Sequence, residues 1–494
     1  MAPSADHPEP ATPAAPGPTN PPGRPDPVAL LRSRGYLRLL ILAAILGVPI
    51  SAAAYGFLAL VSYLQEEIFT HLPHGLGFAT EPVWWPLPVL VVGGVLAALA
   101  IRYLPGRGGA SPAHGFALHG PPTAVQLPGV ILAALATLVF GFVLGPEMPL
   151  IAIGGGLGVL VTRLNRRRTT PEQAVRVLGA TGSFAAISTL LGSPIIGAFL
   201  LMEASGLGGP MLGVVLIPGL LASGIGSLIF IGLDSVTGLG TFSLAIPNLP
   251  HFARPNGAEF CWAVVIGLAA ALVGPAIRRL ALFLKPYADR WTMLALPLAG
   301  VAIALLAIIY AEGTGKPSSE VLFSGQSDIG PLITHAASYS VGALLLLLVC
   351  KGIAYGVSLS GFRGGPIFPA MYIGAAGGIA MSHLPGLSLV PSIAMGIGAM
   401  SVVMLSLPLT SVLLATLLIG SDGLDAMPLV IVAVVVSYVV TARLAPAPAG
   451  EPAAAEADTP AGRGLRRPSS DSDDAVGAPA IDARPSPSGS GGER

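Results

Sequence analysis

The chain has 494 residues, of which 10% are charged and 53% hydrophobic; its mean hydropathy is +0.77 and its formal net charge is zero. A soluble protein needs roughly a quarter of its residues charged to cover its surface, so this composition excludes a soluble globular protein and makes the lipid bilayer a partner of the fold. A net charge of zero suggests no nucleic-acid partner.

Taken in chain order, residues 1–29 are polar and rich in Pro and Ala, with too little apolar surface to pack, and predict a disordered tail. This is not a secretory signal, because the first apolar run starts too late and is too long. The folded body is expected over 30–445 as one membrane domain. Runs free of Asp, Glu, Lys and Arg cover 39–65, 82–101, 177–202, 204–233, 260–277, 291–311, 329–350, 364–421 and 426–442. About 20 apolar residues cross the hydrocarbon core as a helix, so most of these runs qualify, and the fold class is all-α and polytopic. Cys261 and Cys350 lie inside such runs and are expected to be small buried hydrophobes rather than a disulfide. Residues 446–494 predict a second disordered tail.

Basic residues set the expected orientation. Arg32, Arg34 and Arg38 precede the first span; Arg163, Arg166, Arg167 and Arg168 form one cluster, and Arg278, Arg279, Lys285 and Arg290 another. All are assigned to solvated cytoplasmic loops, which places both termini in the cytoplasm of a multi-pass cell-membrane protein.

Gly and Pro interrupt the helices repeatedly, as at Gly145-Pro146, Ser193-Pro194, Gly365-Pro366 and Leu407-Pro408. The run 364–421 is too long for two ordinary spans, and short helices broken inside the membrane are the natural reading. The breaks also repeat. Gly145-Pro146-Glu147-Met148-Pro149-Leu150-Ile151-Ala152-Ile153-Gly154 aligns with Gly365-Pro366-Ile367-Phe368-Pro369-Ala370-Met371-Tyr372-Ile373-Gly374 as GPxxPxxxIG. Ser193-Pro194 answers Leu407-Pro408 at nearly the same spacing. Duplicated halves, about 37–232 and 258–443, with broken helices are a transporter or channel signature.

Each Gly-Pro-x-x-Pro opens a helix whose first amides have no intrahelical partner and carry the positive end of the dipole. Two such ends meeting at the midplane make an anion site from backbone alone. No lysine or arginine is needed there, and a fixed charge would trap the ion. Glu147 is a lone acid after a long uncharged run, expensive unless functional. Helix-end amides stabilise its charge and desolvation opposes it.

These residues resemble a known family. Gly145-Pro146-Glu147-Met148-Pro149 resembles the GxEGP signature of the CLC chloride channel and transporter family, with Met148 in place of its second glycine. Gly364-Gly365-Pro366-Ile367-Phe368-Pro369 resembles its GxFxP signature, with Ile367 in the aromatic position. Lys351 is similar to a lysine common there, and the resemblance covers about 37–443. It implies an inverted-repeat fold with broken and re-entrant helices, a homodimer with one pathway per subunit, and chloride as the default anion. It makes Glu147 the gate, with backbone amides of Met148, Ile367 and Phe368 and the hydroxyl of Ser111 as anion donors. Glu203 and Arg363 are secondary candidates.

Two departures bear on mechanism. Alignment on Ser193-Pro194 puts Glu203 just before the family's inward proton-relay position and Ala204 on it. The inner-gate tyrosine has no convincing match, since Tyr438 lies earlier, inside the last helix. Both favour channel-like or loosely coupled flow over strict proton-coupled exchange. Fluoride export and an organic-substrate carrier are the alternatives, the latter short of polar side chains beyond Glu147 and Glu203. His114, His119 and His383 lack metal-site spacing, Gly154-Gly155-Gly156 reads as close helix packing, and no enzyme motif, cofactor site or regulatory domain after 445 is expected.

Overall fold

The computed structural model describes residues 32–116, 120–164, 172–188, 190–191, 193–205, 210–242, 249, 251–252 and 254–445. The expected tails, His119 and Arg166, Arg167 and Arg168 lie outside the described residues, as does the side chain of Arg163. Helices occupy most of the described residues, with no named strand among them.

Seven helices make the first half. They are α1 (Arg34–Glu66), continued through a π turn to Gly75, α2 (Pro86–Tyr103), α3 (Leu127–Leu138), α4 (Glu147–Leu164), α5 (Glu172–Ala186), α6 (Pro194–Ala204) and α7 (Pro210–Thr237). The second half holds α8 (Gly257–Arg290), α9 (Thr292–Thr314), a short α10 (Ile329–Thr334), α11 (Val341–Gly361), α12 (Ile367–Met381), α13 (Leu389–Leu405), α14 (Pro408–Leu418) and α15 (Gly423–Leu444). Among the described residues, seven segments are long and apolar enough to cross a membrane: α1 with its extension, α2, most of α7, α8, α9, α11 and α15. The uncharged run 364–421 resolves into three short helices, α12, α13 and α14. At 1.5 Å per residue the 11-residue α6 and α14 reach only about 16 Å, half the ~30 Å hydrocarbon core. Broken helices of this kind survive in lipid because other helices, rather than acyl chains, surround their ends.

The duplication is visible in the packing. α1 lies on α7 as α8 lies on α15, α4 on α5 as α12 on α13, and α6 on α7 as α14 on α15. In the α4–α5 and α12–α13 pairs the tightest contacts are glycine to glycine. A Cβ on Gly154 would strike the Gly182 carbonyl, and one on Gly374 would strike the Gly396 carbonyl, so each pair admits only glycine. Gly154 and Gly374 are the residues that close the two GPxxPxxxIG motifs, and the expected packing role of the first is met.

Two expectations change. Arg278, Arg279, Lys285 and Arg290 are not on a loop but on the last turns of the 34-residue α8, which at 1.5 Å per residue is longer than the ~30 Å hydrocarbon core requires. There Arg278 donates to the His114 carbonyl at 2.5 Å and Lys285 pairs with Asp289 at 2.7 Å. Cys350 is buried, but Cys261 is exposed on α8. An apolar run in lipid has an outer face as well as an inner one, and the run alone does not say which a residue takes.

Candidate functional site

The two Gly-Pro motifs meet. Gly145 and Gly365 form an isolated antiparallel bridge, each N–H donating to the other's carbonyl at 2.8 and 2.6 Å. Three residues earlier, Phe142 and Phe362 stack with ring centroids 3.7 Å apart. α4 and α12 therefore start side by side, and both first turns face the same small volume.

Glu147 fills it. The side chain is fully buried, and its Oε1 accepts from the Ile367 amide at 2.7 Å and the Phe368 amide at 3.1 Å. Pro366 has no N–H to offer, so these are the first free donors of α12. The carboxylate gains two charge-assisted bonds and the positive end of a helix dipole, which oppose its desolvation. Oε2, by contrast, has no hydrogen-bond partner. A Cβ at either Gly145 or Gly365 would run into the carboxylate, so both glycines are required by its close approach.

Other groups frame this cradle. Tyr355 is fully buried on α11, and its hydroxyl donates to the Pro366 carbonyl at 2.7 Å, fixing the turn that presents the Ile367 and Phe368 amides. Sequence reading missed it; the available signal was a lone tyrosine on a mostly apolar helix, ten residues before Gly365. Lys351, one helical turn earlier, is also fully buried. Its ammonium donates to the carbonyls of Glu320, Val321, Leu322 and Phe323 at 2.8, 3.3, 2.9 and 3.4 Å, and lies 4.3 Å from the Tyr372 ring centre. It pins the 320–323 loop behind α12 and does not enter the cradle. Glu320 in turn accepts from Tyr310 and, at 2.6 Å, from Tyr339.

The remaining candidates are placed as follows. Met148 follows Glu147 in the first turn of α4, partly buried against the core. Ser111 precedes a 3-10 turn, Pro112–His114, that packs on α8 and α11; its hydroxyl is buried without a hydrogen-bond partner and does not join the Glu147 cradle. Glu203 sits away from the cradle, at the end of α6. Its carboxylate accepts from the amides of Leu409 and Thr410 at 3.0 and 2.8 Å and from the Thr410 hydroxyl at 2.6 Å, capping α14. Arg363 is held by carbonyls: its Nε and Nη2 donate to Arg107 at 3.3 Å, and Nη1 to Gly361 and Phe362 at 2.9 and 3.2 Å. The His383 ring is bonded to the Ile379 carbonyl on its own helix. Among the described residues no cluster of His, Cys, Asp and Glu is arranged to hold a metal.

A family model described as voltage gated chloride channel matches residues 93–442. YfeO of Shigella boydii serotype 4 (strain Sb227), named for ion transport, is 30% identical over 366 residues, covering 72% of this chain and 81% of that protein. Among solved structures, a slow cyanobacterial Cl−/H+ antiporter superposes with TM-score 0.65 at 20% identity, over 82% of this chain and 95% of its own. A CLC-type fluoride/proton antiporter superposes with TM-score 0.59 at 18% identity over the same shares.

Proposed function

The chain belongs to the voltage gated chloride channel (CLC) family, and from that membership we propose that it moves chloride through a backbone-lined pathway gated by Glu147. Anion transport across the membrane comes with the family, and the chain is not an enzyme. The gate is the finer reading. The observation that carries it is the Glu147 carboxylate seated on the Ile367 and Phe368 amides. A carboxylate oxygen and a halide ask the same thing of those donors, so the side chain is a tethered competitor for the anion. When it holds the amides the path is plugged. When it takes up a proton, or an anion outcompetes it, the amides are released to the passing ion. Assembly as a homodimer in the cell membrane, with both termini cytoplasmic, belongs to the same proposal and is supported by the family and by the basic residues near the span ends.

Flow is channel-like or loosely coupled in this reading. Glu203, the acid nearest the expected proton relay, spends its carboxylate on three donors at the start of α14 and caps a helix. A second reading, proton-coupled exchange of chloride or fluoride, is favoured by the two antiporter structures that share the fold. Chloride flux from liposomes, recorded with internal pH, separates the two. Chloride running down its gradient without moving protons supports the first reading; a chloride gradient that drives protons uphill in fixed ratio overturns it. Fluoride in place of chloride identifies the halide.

A further inference from the structure

Beside the cradle lies a cavity of about 410 Å³. Met148 and Pro149 of the first α4 turn line it, together with Gly364, so it lies against the turn that carries Glu147. Leu201, Val215 and Phe184 give much of its wall an apolar character. Among the described residues its charged lining is Arg176 and Arg363, with no Asp or Glu.

Arg363 is built into this wall with care. Its backbone N–H donates to the buried Thr137 hydroxyl at 3.2 Å, and its guanidinium donates only to carbonyls, those of Arg107, Gly361 and Phe362. The Arg107 carbonyl is turned toward it by a loop in which Gly106, Arg107, Gly108 and Gly109 all take left-handed φ, of 82°, 47°, 73° and 88°. A non-glycine residue in that conformation is a strained backbone that its surroundings must impose. Gly108 also leaves room for the side chain, since a Cβ there would lie 3.1 Å from the Arg363 Cγ. Carbonyls orient a guanidinium without neutralising it. Among the described residues no carboxylate pairs with Arg363. Asp289, the acid whose field reaches it, is mostly solvent-exposed and paired with Lys285.

We infer that Arg363 is the fixed charge that loads anions into this cavity before they meet the Glu147 cradle. This rests on the anion-transport reading above and adds a residue to it. A full positive charge held beside a low-dielectric chamber with no acid in its lining raises the local anion concentration. Because the charge stands in the wall, outside the amide cradle, it attracts without becoming the site in which the ion is trapped. Arg363 is thus a determinant of apparent affinity rather than of the gate.

The test is initial chloride flux against chloride concentration, using the full chain in liposomes. The variants are Arg363→Gln, Arg363→Lys, Ala152→Asp and Ala152→Asn, Ala152 being a lining residue on α4. Loss of one unit charge several ångströms from a partly hydrated ion should raise the half-saturating concentration roughly three- to tenfold, with the maximal rate much less affected. Arg363→Lys keeps the charge and loses the carbonyl fork, so it should stay closer to wild type than Arg363→Gln does. If Arg363→Gln does not yield folded protein, the Ala152 pair decides: the added acid should raise the half-saturating concentration above that of the amide of the same size. An Arg363→Gln curve that overlies wild type, Arg363→Lys as impaired as Arg363→Gln, or equal effects of Asp and Asn at 152 would overturn the inference. Wild type carrying no chloride or other halide would instead sink the transport reading, and this inference with it.

Discussion

Glu147→Gln tests the cradle with the least change of shape. The carboxamide oxygen still reaches the Ile367 and Phe368 amides, now 2.7 and 3.1 Å from Oε1, but without the charge. A hydrogen bond to a charged group contributes about 1.5–3 kcal/mol and a neutral one about 0.5–1.5 kcal/mol. Two bonds, each weaker by about 1 kcal/mol, loosen the plug by about 2 kcal/mol, or roughly 30-fold in occupancy. The far end of the side chain adds to this. Oε2 has no partner, so the new amide nitrogen is a buried donor facing no acceptor, costing about 1–3 kcal/mol more. The amide also has no proton to gain in the carboxylate range. Chloride efflux from liposomes should therefore rise at least about tenfold over wild type near pH 7.5 and stay flat down to about pH 4.5. Wild-type efflux should climb over the same interval as the carboxylate takes up its proton. Glu147→Gln protein that keeps the wild-type pH slope would refute the reasoning, because the plug would then titrate without its carboxyl.

Gly365→Ala puts a methyl where the carboxylate sits and should cost about 1–3 kcal/mol of stability in wild type. Most of that cost should vanish in Glu147→Ala protein, and equal costs in the two backgrounds would contradict the geometry. Lys351→Met strands four carbonyls and should lower unfolding stability in detergent by about 3 kcal/mol; an unchanged denaturation midpoint would remove the pin. Glu81, in the loop between α1 and α2, is pushed by burial from 4.5 to about 7, opposed by the Ser318 hydroxyl at 3.3 Å. Its folded form holds a proton that the unfolded chain releases at lower pH, so stability falls as pH rises from about 4.5 to 7 and the penalty is complete above that range. Discounted for solvent access, Glu81→Gln should gain about 1–2 kcal/mol at pH 8 and flatten thermal stability against pH. The same pH dependence in both proteins would exclude Glu81 as its source.

The cradle was legible because its chemistry is local. Proline at a helix start, glycine before it and an isolated acid after it state their roles within five residues, and the same pattern 220 residues on supplied the partner. That the run 364–421 breaks into short helices followed for the same reason. What escaped was made by distant contacts. The acceptor of Tyr355 is a carbonyl on the next turn of chain, but its burial depends on packing from several helices. The carbonyl that orients Arg363 belongs to Arg107, 256 residues away, and points inward only because that residue bends left-handed. The opposite burial of Cys261 and Cys350 likewise depends on which face of a helix meets lipid, and an uninterrupted apolar run carries no such mark.

Residues that touch at the crossing stand 220 positions apart: Phe142 on Phe362, Gly145 on Gly365, Glu147 on Ile367. The two copies thus meet about a local twofold axis, and a point on such an axis has room for one tenant. A glutamate in both copies would bring two carboxylates into the same small volume, and neither could enter fully charged. Duplication could build the socket by symmetry, but on the proposed gating role the latch had to be kept in one copy and lost, or never gained, in the other. Exchanging the pair, with Ile at 147 and Glu at 367, should hang the latch from the opposite helix. The amides it closed on would then be those of α4, and the pathway would be plugged through its other repeat.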